Sequence, residues 1–241
     1  MLKRFPNPAL PLILALLLAG CSTPSKRSSA PTVATPSQAE TRERVTVAEP
    51  PNLYLLKQEL KAYIDDGRYE ADIAKVAAQA KAWIEQRARQ GDGKLAVVFD
   101  IDETLISNLP HMRKMDFGYV PPLWDQWVAD AEGPAIESVR EVYRTAREHG
   151  VAVFFMTGRK TTDGPGTTKN LAAEGLDDYV DLFLKPNDYL GPTQAFKTAM
   201  RKKITEDGYT IIANVGDQHS DLDGGYAERT FKLPNPFYIT K

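Results

Sequence analysis

Three carboxylates fall within four positions at Asp100, Asp102 and Glu103, directly after Val97, Val98 and Phe99, an apolar run of the kind that forms a strand buried on both faces. Acids packed so closely repel one another and raise one another's pKa unless something positive joins them. A hard cation resolves the conflict, and Mg²⁺ is the natural one: it takes oxygen ligands, keeps several waters and is commonly held by one or two carboxylates together with a substrate phosphate. Further along, Asp217 and Asp221 add carboxylates, Thr157 a hydroxyl beside Gly158, and Arg159 and Lys185 two cations. The single cysteine, Cys21, and the three scattered histidines leave zinc poorly supported. The set suits a phosphate ester, whose charge would meet Mg²⁺, Lys185, Arg159 and the free N–H groups of a strand-to-helix turn.

These residues are far apart in sequence, so a scaffold must gather them. β-rich runs at Leu95 to Phe99, Val151 to Met156, Val180 to Leu184, Thr210 to Val215 and Thr230 to Leu233 alternate with helical segments such as Ala135 to His149 and Thr193 to Glu206. That alternation predicts an α/β fold, a Rossmann-like parallel sheet flanked by helices. In such a sheet ligands bind beyond the carboxyl ends of the strands. The chemistry-bearing residues follow strands: Asp100 the first, Thr157-Gly158-Arg159 the second, Lys185 the third, and Asp217 with Asp221 the fourth. Ahead of the sheet, Leu53, Leu56, Leu60 and Ile64, then Ile73, Val76, Ala80 and Ile84, recur at helical intervals around Gly67, which predicts two amphipathic helices.

"DIDET", "MTGR", Lys185 and "GDQHSD", in that order, resemble the four motifs of the haloacid dehalogenase (HAD) superfamily of aspartyl-phosphate phosphotransferases. More closely, "FDIDETLISNLP", "NVGDQHSDL" and "FKLPNPFYI" resemble the acid phosphatases related to plant vegetative storage proteins and to bacterial lipoprotein acid phosphatases, over about Leu53 to Ile239. The resemblance implies Asp100 as nucleophile and Asp102 as general acid and then base. It implies that the Asp100 carboxylate, the Asp102 carbonyl and Asp217 bind Mg²⁺ with support from Asp221. Thr157 and the Gly158 N–H would then hold phosphate oxygens and Lys185 would neutralise charge. Arg159 either touches phosphate or pairs with an acid. Glu103 is expected to have no direct chemical role, and His219 either touches substrate or packs its loop. Carboxylates near Asp102 act to raise its pKa, so an acidic optimum is expected.

The interval 106–134, between the first two strands, would hold a small helical cap. Its His111, Met112, Phe117, Tyr119, Trp124 and Trp127 could stack on a nucleobase or simply pack the cap, and the two tryptophans, three apart, read as core. His111 and His149 read as surface or packing residues.

The N-terminus is not part of this scaffold. Lys3 and Arg4 precede an apolar run from Ala9 to Ala19 that is short for a membrane span, and Leu18-Ala19-Gly20-Cys21 resembles a bacterial lipoprotein box. Residues 1–20 are expected to be a lipoprotein signal peptide and 21–50, about half Ser, Thr and Pro, a flexible tether lipidated at Cys21, leaving 51–241 as the folded domain. In that resemblance a residue other than Asp after the cysteine, here Ser22, implies the outer membrane of a bacterial envelope. Among 241 residues a net charge of −2 gives no basic field for a nucleic-acid polymer. The expected partners are a small phosphorylated substrate, the membrane through the lipid, and, if the leading helices pair, a second copy in a homodimer. A ligand-binding lipoprotein for nucleotide or haem on an inactive phosphatase scaffold is the alternative. A glycosyltransferase DxD motif would leave Lys185 and "GDQHSD" unexplained.

Overall fold

The computed structural model describes residues 46–240; the expected signal peptide, Cys21 and most of the tether lie outside them. Helix α1 (Leu53–Asp65) begins at Asn52, whose side chain accepts from the backbone N–H groups of Tyr54 and Leu55, and Gly67 at φ +78° turns the chain into α2 (Arg68–Ala88). Helix α2 buries Tyr69, Ile73, Ala77, Ala80 and Ile84, one stripe at three- and four-residue spacing. In α1 only Ile64 of the expected stripe is buried, because the helix packs near its junction with α2, and Leu53 stays 65% exposed.

After β1 (Lys94–Phe99) come α3 (Leu109–Lys114), α4 (Pro121–Asp130) and α5 (Glu137–Glu148). The chain continues through β2 (Ala152–Lys160), α6 (Gly164–Ala173), β3 (Asp181–Lys185), α7 (Thr193–Glu206), β4 (Tyr209–Gly216), the one-turn α8 (His219–Leu222) and β5 (Thr230–Lys232). The five strands form one parallel sheet in the order β3-β2-β1-β4-β5, as the alternating pattern predicts. Alternation along β1 fills both faces: Val97 and Phe99 join Ile73 and Ile84 of α2 and Val142 of α5, whereas Ala96 and Val98 join Phe154, Met156 and Ile204 of α7. The chain runs from β1 to β2 and β3 on one side and returns to β4 and β5 on the other. The switch point therefore lies between β1 and β4, and a crevice opens there at the carboxyl ends.

Helix α6 is unmarked in the sequence because Gly164-Pro165-Gly166 reads as a breaker. Pro165 occupies the first turn, where no backbone N–H is required, and a Cβ at Gly166 would lie 2.3 Å from the Val128 carbonyl oxygen. Only glycine lets α4 approach α6 so closely, and that contact fixes the cap helix beside β2.

Candidate active site

Asp100 leaves β1 with its backbone N–H donating to the Val215 carbonyl of β4 at 2.9 Å, so the carboxylate sits on the switch point. Asp217 follows β4 by one residue. Asp221 comes back toward it through α8, where its Oδ2 accepts the Gln218 N–H at 2.8 Å, and Gly216 is required there because a Cβ would fall 2.6 Å from that of Asp221. One carboxylate oxygen from each of Asp100, Asp217 and Asp221 lies within 4.8 Å of the others, and all three residues are buried. A buried, all-oxygen donor set of this kind fits a divalent cation that prefers hard ligands.

The lysine at this cluster is Lys197, not Lys185. Its Nζ donates to Asp100 Oδ1 at 2.5 Å and to Asp221 Oδ1 at 2.6 Å, with the side chain almost wholly buried. Lys185 ends the edge strand β3, with β2 and β1 between it and β4; its ammonium lines the same cleft and donates to Thr193 Oγ1 at 3.3 Å. Helix α7 packs against β4 and α8, which lets Lys197 reach both acids. A signal for it was present. Thr193, Lys197 and Arg201 recur every four residues along the face of α7 that also buries Phe196 and Ile204, and polar residues in a buried stripe need partners. Arg201, fully buried, donates to the carbonyls of Asp221 at 2.5 Å, Gly225 at 2.9 Å and Asp223, holding the loop that carries Asp221.

Burial and the charge of Asp221 push the Asp100 carboxyl well up, with Lys197 pulling the other way. Burial and Asp221 likewise raise Asp217, against hydrogen bonds from Asn235 and Gln218, each at 2.6 Å. Lys197 stays charged: burial opposes it, but the two carboxylates outweigh burial. A divalent cation bound among these oxygens would favour their ionised forms and oppose that upward push.

Asp102 behaves otherwise. Arg159 donates to it from Nη2 at 2.6 Å and from Nε at 3.1 Å, Asn108 Nδ2 donates at 2.8 Å, and Thr157 Oγ1 lies 3.5 Å away. Burial alone would raise this carboxyl, yet the Arg159 charge and these hydrogen bonds hold it below the usual range, the opposite of the upward push that neighbouring acids suggest. Arg159 is thus paired with an acid in this structure. Its third nitrogen, Nη1, donates to Thr167 Oγ1 at 3.1 Å, and its guanidinium lies 5.8 Å from the Trp124 ring centre. Thr157 is fully buried and accepts the Arg159 N–H at 3.1 Å, while Gly158 stays half-buried on the cleft wall.

The cleft over these groups measures about 910 Å³. Asp100, Asp102, Lys197, Asp217 and Asp221 form its floor; Met112, Phe117, Tyr119 and Trp124 line its wall, with Tyr119 69% exposed. Trp127 is buried, as its apolar spacing suggests, but Trp124 faces the cleft. His111 is not a surface residue: it is buried, stacked on Trp127 at 5.6 Å. His219 and His149 are exposed and do not line the cleft. Glu103 is fully buried at φ +52°, and burial pushes its carboxyl up to about 8.

Residues 28–241 match the HAD superfamily, subfamily IIIB (acid phosphatase). The chain belongs to this acid phosphatase family. It is similar to acid phosphatase 1 of Solanum lycopersicum, 34% identical over 184 residues that cover 74% of this chain and 72% of the relative. It is similar also to the stem 28 kDa glycoprotein of Glycine max, 36% identical over 185 residues with the same two coverages. Its fold resembles the class C acid phosphatase from Bacillus anthracis, with a TM-score of 0.64 at 23% identity over 77% of this chain and 86% of the other. The molecule is an acid phosphatase of the HAD superfamily.

Proposed function

We propose that this acid phosphatase is Mg²⁺-dependent and hydrolyses small phosphomonoesters, 5′-nucleotides among them, through an aspartyl-phosphate on Asp100. The observation that carries the reading is the placement of Asp100 at the switch point, paired with Lys197 and within ligand reach of Asp217 and Asp221, with Asp102 two residues on under the control of a separate cation. Asp100 attacks phosphorus while the ester oxygen leaves with a proton from Asp102; Asp102 then takes a proton from water, which attacks the acyl phosphate and frees the Asp100 carboxylate. Asp100, Asp217 and the Asp102 carbonyl would hold Mg²⁺, with Asp221 behind them. The ion when bound neutralises these acids and the phosphate oxygens. Lys197 stabilises charge on the transferring group, and Thr157 with the Gly158 N–H orients its oxygens. The exposed Tyr119 and the half-buried Trp124 supply ring faces suited to a nucleobase.

In the free protein Asp102 is held ionised, so it must gain a proton on binding. A phosphate dianion supplies the cause: it adds negative charge beside Asp102 and competes for Arg159. An acidic working range follows. Because the acid acts when protonated, rate falls as pH rises through its pKa. Arg159→Met removes the largest of the influences that hold Asp102 down and leaves only Asn108 and Lys197 to oppose burial, so the high-pH limb of kcat/KM moves to higher pH. A limb that stays put or moves down argues against Asp102 as the acid.

The direct test uses p-nitrophenyl phosphate. Turnover is expected to vanish in EDTA and return with Mg²⁺; turnover indifferent to EDTA overturns the metal-dependent reading, and a folded, Mg²⁺-loaded protein without turnover favours the ligand-binding alternative. We place the mature enzyme on a bacterial envelope, tethered to the outer membrane by lipid on Cys21, a reading supported by the Leu18-Ala19-Gly20-Cys21 sequence. Cys21→Ser should then release the protein from membranes, and continued sedimentation with them would refute the anchor.

A further inference from the structure

Beyond β5 the chain crosses back over the carboxyl end of the sheet as a strap, Asn235 to Thr240, pinned at both ends. Asn235 donates to Asp217 Oδ2 at 2.6 Å, and the Thr240 N–H donates to Gln218 Oε1 at 3.1 Å. Between them Phe237 stacks on Phe117 of the cap at 6.0 Å and meets Tyr69 of α2 edge-on at 5.1 Å. These contacts fix the backbone that carries Tyr238, whose hydroxyl donates to Glu103 Oε2 at 2.5 Å.

Glu103 passes that contact on. Its Oε1 accepts the Asn108 backbone N–H at 2.7 Å, and its Oε2 accepts the Asn108 Nδ2 at 3.3 Å. The same Nδ2 donates to Asp102 Oδ1 at 2.8 Å, while Asn108 Oδ1 accepts the indole N–H of Trp127 at 2.8 Å. An indole N–H can only donate, so it fixes which end of the Asn108 amide faces the cap and turns the NH₂ end toward the two carboxylates. Glu103, Asn108 and Trp127 are all buried, and buried polar groups are costly unless hydrogen-bond partners surround them. What the Glu103 carboxyl group provides is a pair of oxygens that accept from Asn108 and hold it against Asp102.

We propose that Tyr238 is a positioning residue for Asp102, acting through Glu103 and Asn108, so that the C-terminal strap sets the aim of the group that protonates the leaving oxygen. The proposal rests on the reading of Asp102 as general acid. Arg159 grips Asp102 from the β2 side and Asn108 from the β1 side; without the relay the carboxyl keeps its charge partner and loses its direction. Orientation matters most where proton transfer does, and an alkoxide needs the proton far more than a nitrophenolate.

The experiment compares the full chain and Tyr238→Phe on benzyl phosphate and p-nitrophenyl phosphate, esters of similar size, at saturating Mg²⁺. The expected result is a fall in kcat for benzyl phosphate of about tenfold, a much smaller fall for p-nitrophenyl phosphate and an unchanged KM. Glu103→Gln, which keeps the volume and weakens the relay's acceptor, should give the same split. Equal losses on both esters, or no loss on either, overturn the proposal. Asp102→Asn run beside them separates the two failures. Benzyl phosphate turnover that survives Asp102→Asn removes the general-acid reading and this proposal with it, whereas turnover lost there, with no split in Tyr238→Phe, removes the proposal alone.

Discussion

Asp100→Asn is expected to lower turnover of any phosphomonoester on the order of 10⁴-fold or more, because an amide cannot form the covalent intermediate on which both displacements depend. The loss belongs to kcat. Stability should not follow it down: burial and the Asp221 charge oppose ionisation of Asp100 more than Lys197 favours it, and in the variant Lys197 keeps Asp221 as its partner. The sign with pH follows. A carboxyl whose pKa is raised in the fold stabilises most when protonated, and that contribution is lost as pH rises through the folded pKa. The metal-free parent should therefore lose melting temperature with rising pH more steeply than Asp100→Asn. Melting curves across acid to neutral pH, beside p-nitrophenyl phosphate assays, check both halves. A variant that keeps turnover would remove Asp100 as nucleophile, and one that melts far below the parent would show the carboxylate to be structural.

Lys197→Met should be nearly as damaging to turnover and much more so to the fold. It leaves the Asp100 and Asp221 carboxylates buried without the ammonium that each of them contacts, and breaking a buried pair from one side costs about 3–5 kcal/mol. The loss should shrink as pH falls, since burial holds the Asp100 carboxyl well up and its protonation discharges one of the two. Mg²⁺ should raise the melting temperature by more in Lys197→Met than in the parent, because a divalent cation then supplies all the neutralisation. Lys185→Met removes an ammonium that bonds Thr193 and none of the acids, and should leave stability and turnover close to the parent. Equal losses from the two substitutions, or a Lys197→Met protein as stable as the parent in EDTA, would contradict the assignment of the ion pair.

The contrast between these two lysines marks what was legible in the sequence. Strand positions were plain because β1 is buried on both faces and reads as a continuous apolar run, and Asp100, Asp102, Asp217 and Asp221 stood out as acids placed directly after such runs. A residue that reaches the site from a helix face has no such marker. Lys197 sits amid the other charges of α7, and only its place in the buried stripe with Thr193 and Arg201 distinguishes it. Arg159 was visible as a charged residue after the apolar run of β2, but its partner was not, since pairing with Asp102 depends on the side-by-side register of β1 and β2. Glu103 shows the same limit. Its neighbours in sequence are the reactive acids, and its use depends on Tyr238, 135 positions away. The first turn of α1 erred in the other direction: Leu53 and Leu56 have helical spacing, yet they stay 65% and 45% exposed.

The covalent step on Asp100 is tested most directly by trapping it. Enzyme and Mg²⁺ are mixed with p-nitrophenyl phosphate, quenched in acid during turnover and treated with borohydride, which reduces an acyl phosphate to the alcohol, and the peptide carrying residues 97–105 is sequenced by mass spectrometry. The mechanism predicts homoserine at position 100, absent when substrate is omitted. An unmodified Asp100 in enzyme quenched while turning over under conditions that preserve acyl phosphates, or homoserine at position 102 instead, would contradict it.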